Sequence, residues 1–197
     1  MLPPLPEFEK PPVSEVAISV EFAPLEKWTE SYGGLYWGHI KPDYPRTETK
    51  PPLLSQTESS ELLFEDQQVR FSLEAIQQRF WFLNDIGDRL IQVQNDRFVS
   101  NWRKVKGDEV YPRYDPELRP RFQAEWQKFK RFVTTEKLGT IEATQCELTY
   151  VNDFVQGQDW DRFTDSMALF AHWVNRGSVG FLPPLETFNM NGSFQIP

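Results

Sequence analysis

Apolar and polar positions alternate cleanly near the start of the chain: Val16, Ile18, Val20 and Phe22 are interleaved with Glu15, Ala17, Ser19 and Glu21. A side-chain period of two is that of a strand with one face buried, and Pro24 ends the run. The next segment, LEKWTESYGGLYWGHI, sets Leu25, Trp28, Tyr32, Leu35 and Tyr36 at helical spacing, although Gly33 and Gly34 weaken that helix. From Lys41 to Ser60 the residues turn to Pro, Thr, Lys, Ser and Glu (KPDYPRTETKPPLLSQTESS). This composition predicts a long, polar, mobile connection over 41–60.

Residues 79–104 predict three strands joined by short turns. RFWFL is the first, and the NDIGD cluster turns the chain, with Gly87 where a positive φ is needed. RLIQVQ is the second, Asn95-Asp96 a two-residue hairpin loop, and RFVSNWRK the third. Ile91 and Val93 share one face, Gln92 and Gln94 the other; Phe98, Ser100 and Trp102 oppose Arg97, Val99, Asn101 and Arg103. One apolar face, and one rich in Gln, Asn and Arg, is the pattern of an antiparallel sheet covered by helices on one side.

A strong helical pattern follows, with Leu118, Phe122, Trp126, Phe129 and Val133 on its apolar face. Asp115-Pro116 reads as its N-cap and first turn, with Pro120 as a later start, and Gly139 as its stop. Residues 141–152 read as a long strand with Cys146, Leu148 and Tyr150 on one side, and 160–174 as a further helix. The expected fold is α+β: an antiparallel β-meander sheet with helices packed on one face. Its organisation is an extended Pro-rich segment at 1–12, a single domain over 13–175 with the polar loop at 41–60, and an irregular tail at 176–197.

Composition narrows the function classes. The chain has 197 residues, 15% of them aromatic, enough for one sizeable core. A net charge of −8 argues against nonspecific nucleic-acid binding, leaving only a basic stripe from Arg119 to Arg131 as a weak footing for it. With one cysteine, Cys146, there is no intrachain disulfide. No apolar run approaches the roughly 18 residues needed to span a bilayer, and the first residues do not form a signal peptide. The expected compartment is the cytoplasm.

PPVSEVAISVEFAPL, LYWGHIKPDYPRTETKPPL, RFWFLNDIGDRLIQVQNDRFVSNWRK, YPRY and CELTYVN occur in that order. Over roughly residues 11–155 this resembles a sporadically distributed, uncharacterised bacterial protein family of unknown function, most specifically in RLIQVQNDRFVSNWRK. The resemblance implies a fold and a kinship, and brings no catalytic residue, cofactor or substrate with it.

Candidate chemistry is sparse. Neither His39 nor His172 lies in a ligand cluster, so neither a metal nor any other cofactor is expected. Cys146, on the apolar side of its strand, is expected to be a buried, inert thiol. Phosphate-cradling glycine loops and the GxSxG elbow are absent, and no catalytic residues are assigned. The densest polar set is Gln92, Gln94, Arg97, Asn101 and Arg103 on one hairpin face, aimed away from the core. Planar amides and guanidinium groups there suit a backbone edge or a carboxylate, although many such faces are merely solvated. The leading expectation is a non-enzymatic accessory subunit that docks a protein partner through its sheet face or edge, in a hetero-complex or homo-oligomer. The alternative is an enzyme or small-ligand-binding protein with a cavity between sheet and helices, drawing on Arg97, Arg103, Glu147 and Tyr150.

Overall fold

A computed structural model describes residues 11–53, 78–107, 109–155 and 157–162. The chain divides into two units, Met1–Asp153 and Phe154–Pro197, and the first holds every element discussed below. In chain order these are β1 (Val13–Phe22), α1 (Glu30–Ile40), β2 (Arg46–Lys50), β3 (Arg79–Leu83), β4 (Arg89–Gln94), β5 (Arg97–Arg103), α2 (Arg119–Thr135) and β6 (Ala143–Asn152). The helix expected over 160–174 falls outside the described residues except for its first three positions, which are not helical.

The six strands form one antiparallel sheet in the order β2-β3-β4-β5-β1-β6. The expected meander is its β3-β4-β5 centre. β1 closes against β5 with Val20 opposite Phe98 and Val16 opposite Trp102, so the period-two apolar sets of both strands share a face. Both helices pack on that face. The main core joins Val20 and Phe22 of β1, Phe82 of β3, Ile91 and Val93 of β4 and Phe98 of β5 to Tyr36 and Ile40 of α1 and Phe129, Phe132 and Val133 of α2. The fold is therefore α+β, with an antiparallel sheet covered by helices on one side.

Four local expectations are corrected. The 41–60 connection is not structureless throughout: Tyr44 is in the core and Arg46–Lys50 forms edge strand β2 against β3. Its Arg-Thr-Glu-Thr-Lys alternation, bracketed by Pro45 and Pro51, marks a short charged edge strand. The first helix begins at Glu30, with Leu25 buried ahead of it. Asp115 does not cap α2; a wide turn over Tyr114–Leu118, with Leu118 N–H donating to the Arg113 carbonyl at 3.2 Å, leads into it, and Asp115 pairs with Arg119 at 3.3 Å. Nor does Gly139 end α2. Lys137 adopts φ 55°, its N–H donates to Thr134 O at 3.2 Å, and Leu138 N–H donates to Val133 O at 3.0 Å. These two bonds and the buried Leu138 make a Schellman termination with lysine at the left-handed position.

The two helix glycines differ. A β-carbon on Gly33 would lie 2.5–2.6 Å from the Phe80 ring, so this glycine lets α1 approach β3, whereas one on Gly34 meets nothing. Gly33→Ala is expected to destabilise the protein by about 1–3 kcal/mol through overpacking. Gly34→Ala, on the exposed face, is expected to stabilise it by about 0.5–1 kcal/mol. Opposite shifts of the urea midpoint check both; a common sign would refute the assigned packing. Lys137→Gly relieves the left-handed strain and should raise stability by about 0.5–1 kcal/mol in the same assay.

Candidate functional site

The face of the sheet away from the helices carries the residues singled out from sequence, and it is not a solvated surface. Gln92, Gln94, Arg97 and Asn101 are only 6%, 2%, 8% and 2% exposed. Their side chains are tied to one another. Trp81 Nε1 and Arg79 both donate to Gln92 Oε1, at 3.0 and 2.9 Å; Gln92 Nε2 donates to Asn101 Oδ1 at 2.8 Å; Asn101 Nδ2 donates to Glu15. Gln94 donates to Leu53 O and accepts from Leu53 N–H, both at 3.0 Å, as a strand neighbour would. Arg97 pairs with Glu21 across the β1-β5 register. Buried amides must find partners inside the protein, and this chain gives each of them one. The amides expected to face a partner are instead buried and bonded within the fold.

The charged rim of that face gathers around Trp81. Lys50 Nζ lies 4.9 Å from the ring centroid, and the Arg79 and Arg103 guanidinium carbons each lie 5.5 Å from it. The indole quadrupole stabilises these cations. Arg103 also donates to Gly87 O at 3.1 Å. Lys50 pairs with Glu48 at 2.8 Å and holds its carboxyl below the usual range. Desolvation, and then the neighbouring Arg97, pushes the Arg79 pKa down.

Glu147 and Tyr150 do not join this set. β6 runs along the outer side of β1, where Glu147 pairs with Ser19 and Tyr150 with Val16. Alternation therefore puts the two side chains on opposite faces. Glu147 accepts from Thr149 Oγ1 at 2.6 Å, while Tyr150 meets the Tyr111 ring edge-on at 6.1 Å. Burial and Tyr111 push the Tyr150 phenol up to about 12. The four residues proposed to line a sheet–helix cavity thus line none together. Cys146, expected to be buried, is exposed. Its strand does carry an apolar side, but the core contains no β6 residue, because the helices cover the strands further in.

A cavity does form elsewhere, from residues that the sequence pattern did not group as one site. It has a volume of about 390 Å³ and lies between α2, the chain leaving α1 and the β3–β4 turn, with Tyr44, Asp88, Arg89, Arg121, Glu125 and Lys128 among its lining. Glu125 is a buried carboxylate on the otherwise apolar side of α2. It accepts from the Tyr44 and Ser100 hydroxyls and has Arg121 Nε at 3.7 Å. Three hydrogen-bonding and ionic neighbours are what a buried carboxylate requires. Burial first, then the Glu125 charge, drives the Tyr36 and Tyr44 phenols far above their ordinary range; Arg121 and Arg89 partly offset this at Tyr44. The one sequence signal was Glu125 itself, a charge flanked by the Phe122, Trp126 and Phe129 stripe.

Three of the five cations in the basic stripe of α2 pair with acids. Arg119 pairs with Asp115, Arg121 with Glu125 and Lys128 with Asp43, while Lys130 sits over the Trp126 ring. His39 packs edge-on against Phe132. Among the described residues no group of three or more His, Cys, Asp and Glu is placed to hold a metal, and no helix is long and apolar enough to cross a membrane. No family model, curated protein or solved structure matches the chain.

The phenols generate a pH prediction. Tyr36, Tyr44 and Tyr150 are all raised above 10.0, the value for an open chain, so the folded state favours their neutral forms. Their contribution is complete below pH about 10 and is lost as pH rises, for Tyr150 through about 12. Stability to urea should therefore fall steeply above pH about 10. Tyr36 and Tyr44 should ionise only as the protein unfolds, seen as a phenolate absorbance step coincident with loss of near-ultraviolet dichroism. Their titration in the folded state would contradict the burial assigned to them.

Proposed function

We propose that the chain is a non-enzymatic interaction protein, an accessory subunit that docks a protein partner along the open edge of β6. The observation that carries this reading is the contrast between the two edges of the sheet. A strand edge presents unpaired N–H and C=O groups to any second strand, and proteins ordinarily protect it with charge, proline or shortness. β2 is protected in all three ways: five residues, three of them charged, with prolines on both sides. β6 is ten residues long, contains no proline or lysine, and has Glu147 as its single charge.

Among the described residues, nothing packs across most of β6 on either face. Leu148, Tyr150 and Val151 are 43%, 39% and 39% exposed, on an edge strand that among the described residues is held by its ladder to β1 and by the contact of Tyr150 with Tyr111. Main-chain pairing along β6 supplies affinity in such an arrangement, and apolar side chains alternating on both faces supply specificity. The amides of the polar face, bonded to one another within the fold, do not compete with this edge for a partner.

Cys146 makes the test direct, because the only cysteine of the chain is exposed on this strand. A photo-crosslinker attached there, in a native lysate, should trap one partner in near-stoichiometric yield, or a second copy if the chain pairs with itself. Leu148→Lys with Val151→Lys should abolish trapping while moving stability by only about 0.5 kcal/mol. A complex that tolerates both lysines, or a chain that remains monomeric and untrapped, would remove the proposal.

A further inference from the structure

We infer that the cavity between α2 and the β3–β4 turn is a binding site for a small organic monocarboxylate, held by Arg121 and Arg89. This site is separate from the β6 edge. Arg121 is the central residue. Its side chain is only 17% exposed and lines the cavity, its Nε is buried without a hydrogen-bond partner as are those of Arg79 and Arg103, and among the described residues its ion-pair neighbour is Glu125 at 3.7 Å. Glu125 is already engaged by the Tyr44 and Ser100 hydroxyls. A mostly desolvated guanidinium beside an occupied carboxylate is a costly arrangement, and an oxyanion in the adjacent cavity would complete it.

Arg89 brings a second guanidinium to the same cavity, with only a loose contact to Asp88 at 4.0 Å. Both guanidinium groups line the cavity together with Tyr44. Asp88 is committed to the turn, accepting from Asn84 Nδ2 at 2.6 Å, and Lys128 is committed to Asp43 at 3.0 Å. The groups left with capacity are thus the two arginines.

The charge balance selects among oxyanions. Asp43, Asp88 and Glu125 offset Arg89, Arg121 and Lys128 in the lining, so the cavity is formally neutral. A singly charged carboxylate fits such a field; a phosphate dianion would be opposed by the three acids. Ile86 and Ala124 supply an apolar wall for the organic part. The volume of about 390 Å³ lies within the range of small-molecule sites.

The test uses benzoate and inorganic phosphate as probes on the full chain, followed by the Ile86 and Ala124 methyl signals in isotope-labelled protein. Benzoate should shift both signals saturably, with a Kd on the order of millimolar for so small a ligand. Arg89→Gln and Arg121→Gln should each weaken it about tenfold, as loss of one charge-assisted bond implies. Ala124→Asp, read on the Ile86 signal alone, should weaken it similarly by adding a negative wall. Because Ala124 is exposed, that variant keeps the test decisive if Arg121→Gln unfolds. No saturable shift with benzoate, binding indifferent to Arg89→Gln and Ala124→Asp, or tighter binding of phosphate would each overturn the inference.

Discussion

The structure depends on how α2 seats Phe129 on the sheet. That ring is fully buried and lies within 6.2 Å, centroid to centroid, of Phe22, Trp28, Tyr36, Phe98 and Trp126. One side chain thereby joins β1, the segment before α1, α1 itself, β5 and the preceding turn of α2. Aromatic contacts of this kind are worth about 0.5–1.5 kcal/mol each beyond burial of area. More important is geometry. With α2 fixed there, Glu125 falls one turn earlier on the same face, next to Ser100 of β5 and Tyr44. The apolar seat of the helix and the polar floor of the cavity are consequences of one register.

The same seating decides what remains uncovered. A helix is about 10 Å wide and strands are about 4.8 Å apart, so two helices cover the width of about four strands. The sheet has six. Core side chains accordingly come from β1, β3, β4 and β5, and none from β2 or β6. The two uncovered edges are treated differently by the sequence, charged and short at β2, long and nearly neutral at β6. An uncovered edge follows from the layer arithmetic; an unprotected one is a property of the residues placed there.

Much of the fold was legible because it rests on periodicity. The period-two runs of β1, β4 and β5, the Gly87 turn and the apolar stripe of α2 each follow from local pattern. What failed was inference about environment. Alternation along β4 and β5 separates Gln92 and Asn101 from Ile91 and Phe98, but it does not say whether the polar side meets water or other amides. Cys146 failed for the converse reason: an apolar position on a strand is buried only if something lies over it. The β2 strand was hidden by a composition that disordered connections and protected edges share. Glu125 was visible as a charge among aromatics, yet its partners, Tyr44 and Ser100, are distant in sequence and become neighbours only through the fold.

These corrections change where function is sought. A face whose glutamine and asparagine amides are bonded within the fold is rigid and specific, and such a network contributes little to an external partner without breaking bonds already made. Among the described residues, the surfaces proposed for recognition are instead the main chain of β6 and the guanidinium groups of Arg89 and Arg121. They differ in kind. Main-chain edges recognise extended polypeptide with little regard to sequence and borrow discrimination from flanking side chains. Paired arginines in a cavity recognise planar anions by geometry. A protein carrying both would have one surface for assembly, set by the pairing of β6 with β1, and one pocket for a small anion, set by α2. The pocket and the core share the placement of α2, since shifting its register by one residue would rotate Glu125 out of the cavity and Phe129 out of the core together.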